Sequence, residues 1–225
     1  MDTKKKEPLG NKKNVGKEYC PKGSPREVDT HDFPDAKRGK AIPYGVYDIS
    51  KNEAWVSIGI NHDTAEFAVA SIERWWNEMG KLSYPDATEL TITADAGGSN
   101  SYRTHGWKVH LQKMADKLRL QIHVRHFPPG TSKWNKIEHR MFCHISQNWR
   151  ARPLIDLTTV VSLIGGTKTK TGLTIKVALD QHEYATGIKI TKEQLDAVNL
   201  QPAPVRGEWN YTISPEPLCG IAYVI

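Results

Sequence analysis

Two largely apolar, β-prone runs, Ile42 to Ile49 and Ala54 to Ile60, flank the polar stretch Ser50-Lys51-Asn52-Glu53. β-prone runs around a short polar break predict an antiparallel hairpin. The period then lengthens. Ala68, Ile72, Trp75, Trp76 and Met79 recur at helical spacing until Gly80, and Asp63-Thr64-Ala65-Glu66 ahead of them has the spacing of a capping box. Leu90-Thr91-Ile92-Thr93-Ala94 alternates as a strand and runs into the loop Asp95-Ala96-Gly97-Gly98-Ser99-Asn100. A helix over about Tyr102 to Leu118 follows, then a strand over Gln121 to Phe127, stopped by Pro128-Pro129-Gly130. Thr131 or Ser132 caps a further helix reaching about Trp149. Past Arg152-Pro153 the pattern is weaker and predicts a helix over Asp156 to Ile164, a strand over Leu173 to Leu179, and a short helix begun by Thr191-Lys192-Glu193-Gln194. The order hairpin, helix, strand, helix, strand, helix belongs to the α/β class, a mixed sheet with helices on its faces.

Composition narrows the setting. With 38% hydrophobic and 25% charged residues and a mean hydropathy of −0.55, most of the chain is expected to fold. The chain contains no apolar run of membrane-spanning length and no apolar stretch after the lysines at 4 to 6, so a cytoplasmic protein is expected. Cys20, Cys143 and Cys219 form no C-x-x-C pair, so reduced thiols are expected. The net charge of +6 and its distribution fit a polyanion partner: residues 1 to 26 carry eight Lys/Arg against three acids. Three regions are expected: a basic extended segment over 1–40, a core over 41–152 and an α+β extension over 153–225.

Phosphodiester chemistry needs an activated hydroxyl and a stabilised leaving oxygen, and a pair of Mg²⁺ (or Mn²⁺) ions held by carboxylates serves both. Asp95 is suited to that role, since a strand fixes its backbone while Gly97 and Gly98 leave space before it. Read alone, it is a simple turn former. Glu138 lies beside the stripe Ile137, Met141, Ile145, Trp149, at the edge of a buried helix face; read alone, it is a solvated acid.

Three blocks change this. Asp2-Thr3-Lys4-Lys5-Lys6-Glu7, Ile92-Thr93-Ala94-Asp95-Ala96-Gly97-Gly98-Ser99-Asn100 and Pro128-Pro129-Gly130-Thr131-Ser132-Lys133-Trp134-Asn135-Lys136-Ile137-Glu138-His139 resemble the acidic blocks of the Rhodopirellula-type DDE transposases of bacterial insertion sequences. The likeness runs from Asp2 to about Pro215 and includes His31-Asp32-Phe33, Ile42-Pro43-Tyr44-Gly45, Asp63-Thr64-Ala65-Glu66-Phe67 and Gly207-Glu208-Trp209-Asn210-Tyr211. The resemblance implies an RNase H-like fold and a polynucleotidyl transferase that cuts and joins DNA with two Mg²⁺ or Mn²⁺ ions. It assigns Asp2, Asp95 and Glu138 as metal-binding catalytic residues. Transposon ends and target DNA are the implied partners, and dimerisation is a family-level expectation. Lys4, Lys5, Lys6, Lys12 and Lys13 of the basic segment, with Lys133, Asn135, Lys136 and Arg140 around the third block, are the candidate DNA contacts.

Against the family pattern, the DNA-binding region and first core strand are absent ahead of Asp2. Asp2 is therefore expected on a frayed terminus and the chain alone is expected to be inactive. Three other readings stand beside this one. A nuclease of the same fold would use the same carboxylates, and a non-catalytic DNA-binding remnant would keep the basic segment. A zinc protein would use His139, Cys143 and His144 with His123 and His126, although only His139 and Cys143 have good helical spacing. Gly97-Gly98 lacks the pattern of a nucleotide-binding loop, so no nucleotide cofactor is expected. The tail 216–225 carries no assigned function.

Overall fold

The computed structural model describes residues 1–29 and 38–217; the His31-Asp32-Phe33 block and Cys219 lie outside them. The predicted hairpin forms as β3 (Lys40–Asp48) and β4 (Glu53–Gly59), paired from Ile42↔Gly59 to Asp48↔Glu53. Before it come two short strands, β1 (Asp2–Thr3) and β2 (Glu7–Pro8), both antiparallel to β3. Then follow α1 (Ala65–Trp75), a π-turn (Trp76–Gly80), α2 (Lys81–Ser83), β5 (Glu89–Ala94), α3 (His105–Leu118) and β6 (Gln121–His126). A 3₁₀ turn (Ser132–Trp134) and a π-turn (Glu138–Phe142) lead into α4 (Cys143–Asn148). The chain continues with α5 (Leu157–Gly165), β7 (Thr174–Asp180), α6 (Lys192–Asp196), β8 (Leu200–Pro202) and β9 (Asn210–Ile213). None of the described helices is long and apolar enough to cross a membrane.

The α/β class holds, but the strands form two mixed sheets where one was expected. The first has the order β1-β3-β4-β7 with β2 beside β3; the second runs β5-β6-β9-β8. Residues 153–217 supply β7, parallel to β4, and β9, antiparallel to β6, so they complete both sheets rather than forming a layer of their own.

Period-two alternation explains why helices cover both faces of the first sheet. Ile42, Tyr44, Val46 and Trp55 join one apolar cluster with Phe67 and Ile72 of α1 and with Trp107 and Leu111 of α3. Ala41, Ala54, Val56 and Ile58 point the other way, against Ile137, Met141, Ile145 and the α5 residues Val160 and Ile164. Ile92, Ala94, Ile122 and Val124 of the second sheet belong to the first cluster, so the sheets share a core although no ladder joins them among the described residues. At the seam, the backbone nitrogen of Met1 reaches Thr93 O at 3.1 Å, while Asp2 pairs with Gly45.

Two helix starts differ from expectation. Thr64, not Asp63, caps α1: its Oγ1 accepts from Phe67 N at 3.2 Å. The helix expected from Thr131 or Ser132 is broken at Asn135, whose extended backbone (φ −67°, ψ 113°) separates the 3₁₀ turn from the helical turns beyond it.

Candidate active site

Asp2, expected on a frayed end, is anchored. Asp2 and Thr3 pair with Gly45 and Tyr44, and Lys4 N donates to Pro43 O at 2.8 Å. Gly45 matters to what lies behind this strand. A Cβ at that position would stand 2.8 Å from Phe142 Cε1 and 3.0 Å from Ile137 Cδ1, so the bare backbone lets the Glu138 helix approach β3 beside Asp2.

Asp95 follows directly on β5, and the loop beyond it turns through Gly98, whose φ of +64° favours glycine. A Cβ at Gly97 or Gly98 would meet nothing within 4 Å; the space in front of Asp95 is open. Its backbone is held from behind. Phe127 N donates to Ala94 O at 2.8 Å, and buried His126 places Nδ1 3.1 Å from Asp95 O and Nε2 3.2 Å from Tyr211 Oη. The indole of Trp107 can only donate, and it gives its N–H to Tyr211 Oη at 2.9 Å. Tyr211 is therefore free to donate to Nε2, which leaves Nδ1–H to donate to the Asp95 carbonyl. Burial lowers the His126 pKa, in keeping with a neutral ring.

Asp2, Lys5, Lys6, Asp63, Asp95, Gly97, Gly98, Arg103, Pro129 and Ser132 are among the residues lining one open cleft of about 780 Å³. Asp63, read from sequence as a helix cap, instead accepts from Thr3 Oγ1 at 3.1 Å and meets Lys6 Nζ at 3.5 Å. Glu138 is half-buried on the turn behind.

The three acids interact. Burial, then the charge of Asp95, raises the Asp2 carboxyl from 3.8 to about 7, and burial with Asp95 also raises Glu138, opposed by Lys4 and His139. Mutual repulsion between partly desolvated carboxylates is the condition that a shared cation relieves. Even so, no three His, Cys, Asp or Glu side chains among the described residues form a closed metal-ligand group. The donor chemistry fits a hard divalent ion, with carboxylates gathered around a basin but not drawn into coordination.

The candidate DNA contacts divide. Lys5, Lys6, Lys13, Lys133, Lys136 and Arg140 are exposed. Lys4, Lys12 and Asn135, expected with them among the DNA contacts, are buried, although Lys4 also lines the cleft. Lys4 Nζ sits 3.3 Å from Glu7 Oε1 and 4.4 Å from the centre of the Trp149 ring, and burial lowers its pKa. Asn135 donates Nδ2–H to Asp95 Oδ1 at 3.0 Å.

Of the residues weighed for zinc, His123, His126, His139 and Cys143 have other partners. His139 Nε2 lies 2.7 Å from Lys133 O, Cys143 Sγ donates to His139 O, and His123 meets Thr212 Oγ1 and Glu89. Sequence reasoning missed the supporting roles of His126 and Asn135, because a residue's hydrogen-bond partner across the fold leaves no periodic trace.

No curated protein and no solved structure matches the chain. The family model for the Rhodopirellula transposase DDE domain matches residues 1–215, a span that takes in β1 through β9 and all three acids; the chain belongs to that transposase family.

Proposed function

We propose that this chain is the catalytic domain of a DNA transposase, with an RNase H-like core in which Asp2, Asp95 and Glu138 hold two Mg²⁺ or Mn²⁺ ions for strand cleavage and strand transfer. The observation that carries the reading is the family match over residues 1–215, supported by three acids supplied from β1, the end of β5 and the turn before α4. When bound, the ions would activate the attacking hydroxyl and stabilise the leaving oxygen. The protein's own part is positional. β1 and β5 fix two carboxylates, the glycine loop leaves room for a nucleic-acid backbone, and Lys5, Lys6, Lys133, Lys136 and Arg140 supply exposed positive charge for phosphate.

Calorimetric titration of Mn²⁺ into the protein and into Asp95→Ala tests the metal centre, and incubation with element-end DNA plus a target duplex tests the reaction. Metal uptake lost in the variant, with end DNA joined to target, supports the proposal. Cleavage without joining would favour a nuclease. DNA binding with no metal uptake by either protein would favour a non-catalytic remnant.

A further inference from the structure

Asn135 lies inside the third acidic block, three residues ahead of Glu138, but its contacts are not those of a surface residue. It is 1% exposed, and its backbone breaks the chain between the 3₁₀ turn and the helical turns that carry Glu138. Its backbone N–H donates to Ser132 O at 2.9 Å and its carbonyl accepts from Glu138 N at 3.2 Å. Its amide leaves this segment altogether, giving Nδ2–H to Asp95 Oδ1 at 3.0 Å. One buried residue thus holds the two acids that lie 43 positions apart in the chain: the main chain sets where Glu138 begins its turn, and the side chain sets how the Asp95 carboxylate is rotated.

We infer that Asn135 is a positioning residue for the metal centre, orienting Asp95 relative to Glu138 through a single amide donor. The inference rests on the metal-centre reading above. Its chemical logic follows from the small divalent ion, which demands narrow oxygen geometry. A carboxylate free to rotate must be ordered when the ion binds, whereas one held by a buried N–H is already set. Occupying one lone pair of Oδ1 leaves Oδ2 and the remaining Oδ1 lone pair for coordination. An exposed asparagine touching phosphate would make none of these contacts.

The test uses the full chain with Asn135→Ser and Asn135→Gly, both of which retain a good helix start while losing the amide donor. Mn²⁺ affinity is measured by calorimetry beside the thermal unfolding midpoint of the metal-free proteins. Expected is an affinity about 10- to 100-fold weaker in both variants, with at least one keeping the wild-type midpoint. Wild-type affinity in both variants would overturn the inference while leaving the metal centre standing. So would an unfolding midpoint that falls in step with affinity in both, since a merely structural residue behaves that way. Absence of Mn²⁺ uptake by the unaltered chain would overturn the metal-centre reading and this inference with it.

Discussion

Replacing Asp2 by Asn should stabilise the metal-free protein at neutral and alkaline pH. Asn keeps an oxygen able to accept from Thr3 N, as Asp2 Oδ1 does at 2.7 Å, so the local turn survives the change. What it removes is a carboxylate whose pKa burial and Asp95 raise from 3.8 to about 7. A group raised in this way contributes stability that is fully present below about pH 4 and is lost as pH climbs through about 7. Some three pH units at 1.36 kcal/mol each set an upper bound of about 4 kcal/mol. The Met1 amino group works in the opposite sense: burial lowers it from 8.0 to about 6, so it withdraws stability as pH falls through that interval and blunts the wild-type profile. The amino group is common to both proteins, so the expected gain of Asp2→Asn at pH 8 stays within the bound above, about 2–4 kcal/mol, shrinking toward zero by pH 4. Urea unfolding followed by tryptophan fluorescence in EDTA measures it at both pH values, and Mn²⁺ should then restore the wild type more than the variant. A variant no more stable than wild type at pH 8, or one equally advantaged at pH 4, would refute the claim that Asp2 is a desolvated, repelled carboxylate.

Gly45→Val should destabilise the fold by about 1–3 kcal/mol by driving Ile137 and Phe142 away from β3; because that displacement carries Glu138 with it, Mn²⁺ affinity read by calorimetry should fall as well. Arg74→Met should cost about 3 kcal/mol in urea unfolding at pH 7, because it strips the guanidinium from fully buried Asp180, which it contacts at 2.8 Å through both nitrogens. Burial alone would raise Asp180, but Arg74, His182 N–H and Tyr184 hold its pKa below the ordinary carboxylate value. That contribution is present above the unfolded pKa and lost as the solution is acidified, so the gap between Arg74→Met and wild type should narrow toward low pH.

Most of the fold was legible where a single period governs a long stretch. β3 and β4 alternate against two buried faces, and α1 repeats its apolar residues every third or fourth position, so these elements formed within a few residues of their predicted bounds. The strands β8 and β9 were not predicted: Leu200–Pro202 and Asn210–Ile213 are three and four residues long, too short for any period to declare itself. The Asp63 reading failed by one residue, because Asp63 and Thr64 are both competent caps and only the tertiary pull of Lys6 and Thr3 on Asp63 decides between them. In the site, the acids came from resemblance and the lysines from charge, but charge density does not report burial. Lys4 shows why, since a cation can lie over Trp149 and against Glu7 as readily as it faces a phosphate.

The seam between the two sheets bears on how the site is held. Asp2 belongs to one sheet and Asp95 follows directly on a strand of the other, and among the described residues backbone pairing does not fix their separation beyond the Met1 N to Thr93 O contact. Side chains cross where strands do not: Tyr44 Oη donates to Asn100 Oδ1 at 2.6 Å, and Thr3 Oγ1 lies 3.4 Å from Ser99 Oγ. These links run from β1 and β3 to the loop after Asp95, while Asn135 joins that same acid to the Glu138 turn packed behind β3. The elements that carry the carboxylates are thus linked by a ring of buried and part-buried polar contacts. Such a ring transmits small packing errors more readily than a continuous ladder would, because each link is one hydrogen bond between side chains whose rotamers depend on their neighbours.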